Sequence, residues 1–106
     1  MISIDIVRNE EGQIKKLHIE GHAGYDEHGY DIVCAAVSVL SCTAGLALQE
    51  LAEQKGQFLN ESGFLSIQLE EPFMHDGQVI LETMVLGLQE IARQYKDFVQ
   101  IEDSGR

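Results

Sequence analysis

The chain has 106 residues, a length suited to one domain around one core, and 44% hydrophobic content with a single proline argues for a regular, compact structure rather than disorder. Eighteen acidic against seven basic residues give a formal charge of −11, which opposes direct binding to nucleic acid or to an anionic membrane. The same balance favours a basic partner, although most of these charges read simply as a solvated surface.

The opening ISIDIV alternates Ile2, Ile4 and Ile6 with Ser3 and Asp5, the pattern of a half-buried strand. RNEEG makes a turn, and IKKLHIE sets Leu17 and Ile19 opposite Lys16, His18 and Glu20, so the two runs predict a hairpin. Residues 23–30 have loop chemistry, with Gly24 and Gly29 free to take positive φ. Asp31 is a good N-cap, and helix signals run from it to about Gln54, before Lys55-Gly56. Within that helix, residues 32–49 are uncharged for nearly the length of a membrane span. Acids flank both ends without a basic anchor, and Ser38, Ser41, Thr43 and Gly45 interrupt the run, so the reading is a buried central helix and not a membrane segment. GQFLNESGFLSIQLE reads as a second hairpin turning at Glu61–Gly63, with Leu65, Ile67 and Leu69 on one face and Pro72 closing it. From Asp76 to Lys96, Ile80, Met84, Leu88, Ile91 and Tyr95 recur at helical spacing, with Val85 and Ala92 widening the stripe. FVQI forms a last short strand before a polar tail. The order ββαββαβ predicts an α+β domain over residues 1–106, one antiparallel or mixed sheet packed with two helices. The order of strands within the sheet does not follow from this pattern.

Two cysteines, Cys34 and Cys42, make no disulfide framework. On one helix they stand roughly 12 Å apart along the axis, too far to bridge. Free thiols and an N-terminus without a basic region or long apolar stretch predict a cytoplasmic protein. Cys34 falls in the first turn of the helix capped by Asp31, where unpaired backbone N–H groups and the helix dipole favour negative charge. A thiolate is the nucleophilic form of cysteine, and His22, at the end of the second strand, is placed to take the thiol proton and return it to a leaving amine. Singly, each signal is weak: a cysteine in an apolar helix is more often a small buried hydrophobe, and a strand-end histidine more often a surface group. Their combination across a glycine-bearing loop points to a nucleophile–base pair, whereas Cys42, two turns deeper, reads as core.

Asp31 reads as cap and local organiser, or as a partner that orients His22. Ser38, one turn after Cys34, either bonds to sulfur or substrate or bonds back to the carbonyl of Cys34. Tyr25 and Tyr30 offer stacking area, and Gly24 and Gly29 the freedom for the loop to close over an apolar substrate segment. A metal site is the rival explanation for His18, His22, Asp26, His28, Asp31 and Cys34. No C-x-x-C or H-E-x-x-H spacing accompanies them, so no metal is expected, and no glycine pattern supports a nucleotide.

The stretch GHAGYDEHGYDIVCAAVS, residues 21–38, closely resembles the signature of the ribosomal-processing cysteine protease family (Prp, YsxB-like). Length, the ISIDIV-type opening, the apolar first helix and the element order extend the likeness over essentially the whole chain. The resemblance implies a cofactor-free cysteine endopeptidase, usually a homodimer. It would remove a short N-terminal extension, ending in an aromatic pair and a small residue, from the precursor of the bacterial large-subunit ribosomal protein numbered twenty-seven. It also implies Cys34 as nucleophile and His22 as general base, with Gly21, Asp31 and Ser38 in support and a glycine loop that moves on binding. The acidic charge suits a basic substrate. Two other readings stay open from the residues alone: a non-catalytic acidic binding module for a basic ribosomal protein, and a thiol-transfer protein using Cys34 with Cys42 of a second copy.

Overall fold

A computed structural model describes residues 1–27 and 31–104. The elements, in chain order, are β1 (Ile2–Arg8), β2 (Ile14–Glu20), α1 (Ile32–Glu50), β3 (Gly56–Glu61), β4 (Phe64–Leu69), α2 (His75–Gln94) and β5 (Val99–Ser104). The strands form one five-stranded sheet in the order β3-β4-β2-β1-β5. All neighbours pair antiparallel except β1 and β5, which run parallel, so the sheet is mixed.

Period-2 alternation decides which face the core takes. Ile4 pairs with Ile19 and Ile6 with Leu17 across β1 and β2, while Leu17 faces Ile67 and Ile19 faces Leu65 on β4. These side chains are buried in one cluster with Val33, Val37, Ala44 and Leu48 of α1 and Leu81, Met84, Val85 and Leu88 of α2. Both helices therefore cover the same face of the sheet, as an α+β layer requires.

Two boundaries and the burial of one helix differ from the sequence reading. Helix α1 ends at Glu50 and not near Gln54: Leu51 closes it, and Glu53 adopts a left-handed φ of 52°. Gln54 then turns inward, donating from Nε2 to the carbonyls of Lys55, Glu70 and Pro72 and accepting on Oε1 from the Met74 N–H. Backbone groups around α2's entry take this side chain, a use that local propensity does not reveal. The last strand runs on to Ser104 through the stretch read as a polar tail, because parallel pairing with β1 supplies partners as far as Ser104. Nor is α1 buried all round. It seats Val33, Val37, Ser41, Ala44, Gly45 and Leu48 and leaves Val39 and Leu46 in the open.

Candidate active site

The site lies where β2 ends, α1 begins and the β3–β4 turn approaches. Gly21 follows β2 with φ 102° and donates its N–H to the Gly63 carbonyl at 2.9 Å. A side chain at Gly21 would stand 2.4 Å from the carbonyl oxygen of Met1, so only glycine fits this approach. The Met1 ammonium group donates to the His22 carbonyl at 2.6 Å. The backbone carrying His22 is thus held from the start of β1 and from the β3–β4 turn.

Asp31 is the N-cap, with Oδ1 accepting from the N–H groups of Val33 and Cys34 at 2.9 and 3.0 Å. Its other oxygen, Oδ2, accepts from Tyr25 at 2.9 Å and Asp26 at 3.3 Å. Burial pushes this carboxyl up, but the N–H bonds from Cys34, Asp26, Tyr25 and Val33 together hold it below the ordinary carboxylate value. The Cys34 N–H is therefore engaged with the cap. The direct contact to the sulfur comes from the upstream loop, whose Ala23 N–H donates to Sγ at 3.2 Å. A bond of this kind is stronger to a charged acceptor than to a neutral one.

His22 and Cys34 line two adjoining cavities in common, and Ser38 lines both with them. One, of about 160 Å³, runs between α1 and the β3–β4 turn and is completed by Gly21, Ser41, Cys42, Gly63 and Phe64. The other, of about 440 Å³, lies on the loop side against Gly24, Asp26, Asp31 and Ala35. Gly21, His22, Asp31, Cys34 and Ser38 thus converge on one place, and a chain crossing from one cavity to the other would pass the thiol and the imidazole. Cys42 is half-buried and in the first cavity, not sealed in the core; its Sγ accepts from Asn60 Nδ2 at 3.2 Å.

Tyr25 is not brought to these cavities. Its ring lies edge-on to Tyr95 and Phe98, with centroids 5.5 and 5.2 Å away. Gly29 and Tyr30, with His28, lie outside the described residues. Among the described residues no group of three or more His, Cys, Asp or Glu side chains is arranged to hold a metal ion. Sequence reasoning missed the Ala23 N–H and the β3–β4 turn. The first is a backbone group that no residue type advertises. The second sits 41 positions beyond His22 and reads locally as an ordinary turn glycine.

Known proteins resemble this chain over nearly its whole length. The family profile described as cysteine protease Prp matches residues 1–100. The chain is 30% identical over 103 residues to a ribosomal processing cysteine protease Prp of Staphylococcus aureus, covering 95% of this chain and 97% of that protein. A protein of the same description from Bacillus subtilis is 31% identical over 110 residues, covering 95% and 96%. Among solved structures, an essential ribosomal processing protease Prp from S. aureus, in complex with a covalently linked product peptide, superposes with a TM-score of 0.93. It is 29% identical, with 98% of this chain and 100% of that one covered.

Proposed function

The chain belongs to the cysteine protease Prp family, and from that premise we propose that it removes a short N-terminal extension from the precursor of the bacterial large-subunit ribosomal protein numbered twenty-seven. Cys34 is the nucleophile and His22 the general base. The observation that carries this reading is that both side chains line the same two cavities while the Ala23 N–H is aimed at Sγ. The imidazole takes the thiol proton, and the thiolate attacks the scissile carbonyl carbon. The tetrahedral intermediate collapses as the imidazolium returns that proton to the leaving nitrogen, freeing the mature N-terminus and leaving a thioester on Cys34. Water, deprotonated by His22, then hydrolyses the thioester. The Ala23 N–H serves the sulfur before attack and is the nearby donor for the oxyanion after it.

No cofactor is needed in this scheme. The compartment that suits it is the cytoplasm, where two free thiols persist. A homodimer is supported by the exposed Val39, Leu46, Val79 and Leu86 of α1 and α2, which are 65%, 55%, 50% and 68% accessible in a single chain.

The test is incubation with a peptide spanning the extension and the mature start, read by mass spectrometry. The expected result is a single cut at the end of the extension, abolished in Cys34→Ala and in His22→Ala. Because the two side chains act as one unit, the double variant is hardly slower than either single one. Multiplicative losses would argue against the pair, and a peptide that the wild type binds but does not cut would leave a binding module as the better account.

A further inference from the structure

We propose that Gly63, in the turn between β3 and β4, is a positioning residue for the His22 imidazole. A Cβ at Gly63 would stand 2.7 Å from Nε2, 3.2 Å from Cε1 and 3.4 Å from Cδ2 of His22. The Nε2 corner of the ring therefore abuts the bare α-carbon, and the space it occupies there exists only because residue 63 has no side chain. His22 is exposed, and the turn supplies one wall of its seat.

This wall is tied to the strand end that carries the ring. The Gly21 N–H donates to the Gly63 carbonyl, and Phe64 pairs with Glu20 in the β2–β4 ladder. Turn and histidine backbone hence form one unit, and the ring, at the end of two rotatable bonds, is the part that can give way. A side chain at 63 displaces the imidazole more readily than it displaces backbone. The fold then survives while the geometry needed for proton transfer does not.

Gly63 also has φ +73°, where any L-residue is strained, and this second effect must be separated from the first. Gly12 supplies the control: it has φ +82°, with nothing within 4 Å of where its Cβ would stand. Gly12→Ala thus reports backbone strain without a neighbour to displace. Gly63→Asn brings in a side chain that tolerates the left-handed region and still carries a Cβ.

The proposal rests on His22 acting as the base, and the experiment keeps the two claims apart. Peptide cleavage, melting temperature and the His22 imidazole ¹⁵N resonances, assigned by their loss in His22→Ala, are measured in wild type and in Gly63→Ala, Gly63→Asn and Gly12→Ala. The expected result is a loss of about 100-fold in kcat for both Gly63 variants, with KM changed by only a few-fold and His22 resonances shifted. Gly12→Ala lowers the melting temperature at unchanged kcat. Gly63→Asn with wild-type kcat, or with unmoved His22 resonances, overturns the proposal, as does a loss no larger than that of Gly12→Ala. Normal cleavage by His22→Ala overturns the base assignment instead, whatever the resonances do at Gly63.

Discussion

Asp31 divides its two oxygens between two segments, the first turn of α1 and the loop at Tyr25 and Asp26. An amide offers one acceptor oxygen, so Asp31→Asn keeps one pair of N–H bonds and turns an NH₂ group toward the other. We expect Asp31→Asn to cost about 1–2 kcal/mol and Asp31→Ala about 3 kcal/mol in thermal unfolding, from the loss of the cap and of bonds to a charged acceptor. The sign of the pH dependence follows from the depressed carboxyl. Its stabilisation is fully present above the ordinary carboxylate range, near pH 4, and is lost as pH falls through the lower folded value. The stability gap between wild type and Asp31→Asn therefore closes on acidification; a gap independent of pH would contradict this account. Cys42→Ala is expected to keep cleavage within a few-fold of wild type, because Cys42 lines the cavity without a role in the proton chain. A complete loss would revive thiol transfer between two cysteines. The cap half of Asp31 was legible in the sequence, from an acid just before a helical run. The loop half was not, because two N–H groups folding back on a carboxylate leave no trace in residue type.

The alternation in β1, β2 and β4 made the strands readable, and the 3.6-residue stripe of Ile80, Met84 and Leu88 did the same for α2. Strand order was not readable, since β1 pairs with β5 across almost the full length of the chain and hydrophobic period carries no address. Helix α1 shows both sides of this limit. Its uncharged run announced a helix, but not that one side would lie on the sheet while Val39 and Leu46 stayed outside. Its seat on the sheet depends on Gly45, where a Cβ would meet the Phe58 ring of β3 at 2.3 Å. Gly45→Val is expected to destabilise the fold by about 1–3 kcal/mol through overpacking, measured by denaturant unfolding. An unchanged midpoint would mean that α1 and β3 have slack between them.

Across the whole molecule, Arg8 joins the parts that the active site needs to stay in place. Its guanidinium is buried and donates to both oxygens of Asp103, both oxygens of Glu82 and the Gly12 carbonyl. Bonds to Glu82, then Asp103, outweigh the effect of burial and hold it firmly protonated. One side chain thus clamps β1, α2, β5 and the first hairpin turn. Arg8→Ala is expected to cost about 3 kcal/mol, the lower part of the range for a broken buried pair because Glu82 is partly exposed. Arg8→Lys should recover little of it, since an ammonium cannot reproduce two bidentate pairs. Cleavage per folded molecule should stay near wild type in both, because the clamp does not touch the cavities. That Arg8 would be inside was hidden in the sequence, where it looked like the first residue of a polar turn. The chemistry proposed at Cys34 draws on residues packed into eighteen consecutive positions. Its central claim is a covalent thioester on that sulfur, and the most direct measurement is acid quenching of wild type during turnover of the extension peptide, followed by peptide-level mass spectrometry. The account predicts an adduct equal in mass to the released extension less one water on the fragment containing Cys34, with none on Cys42; cleavage without an adduct, or an adduct on Cys42, would contradict it.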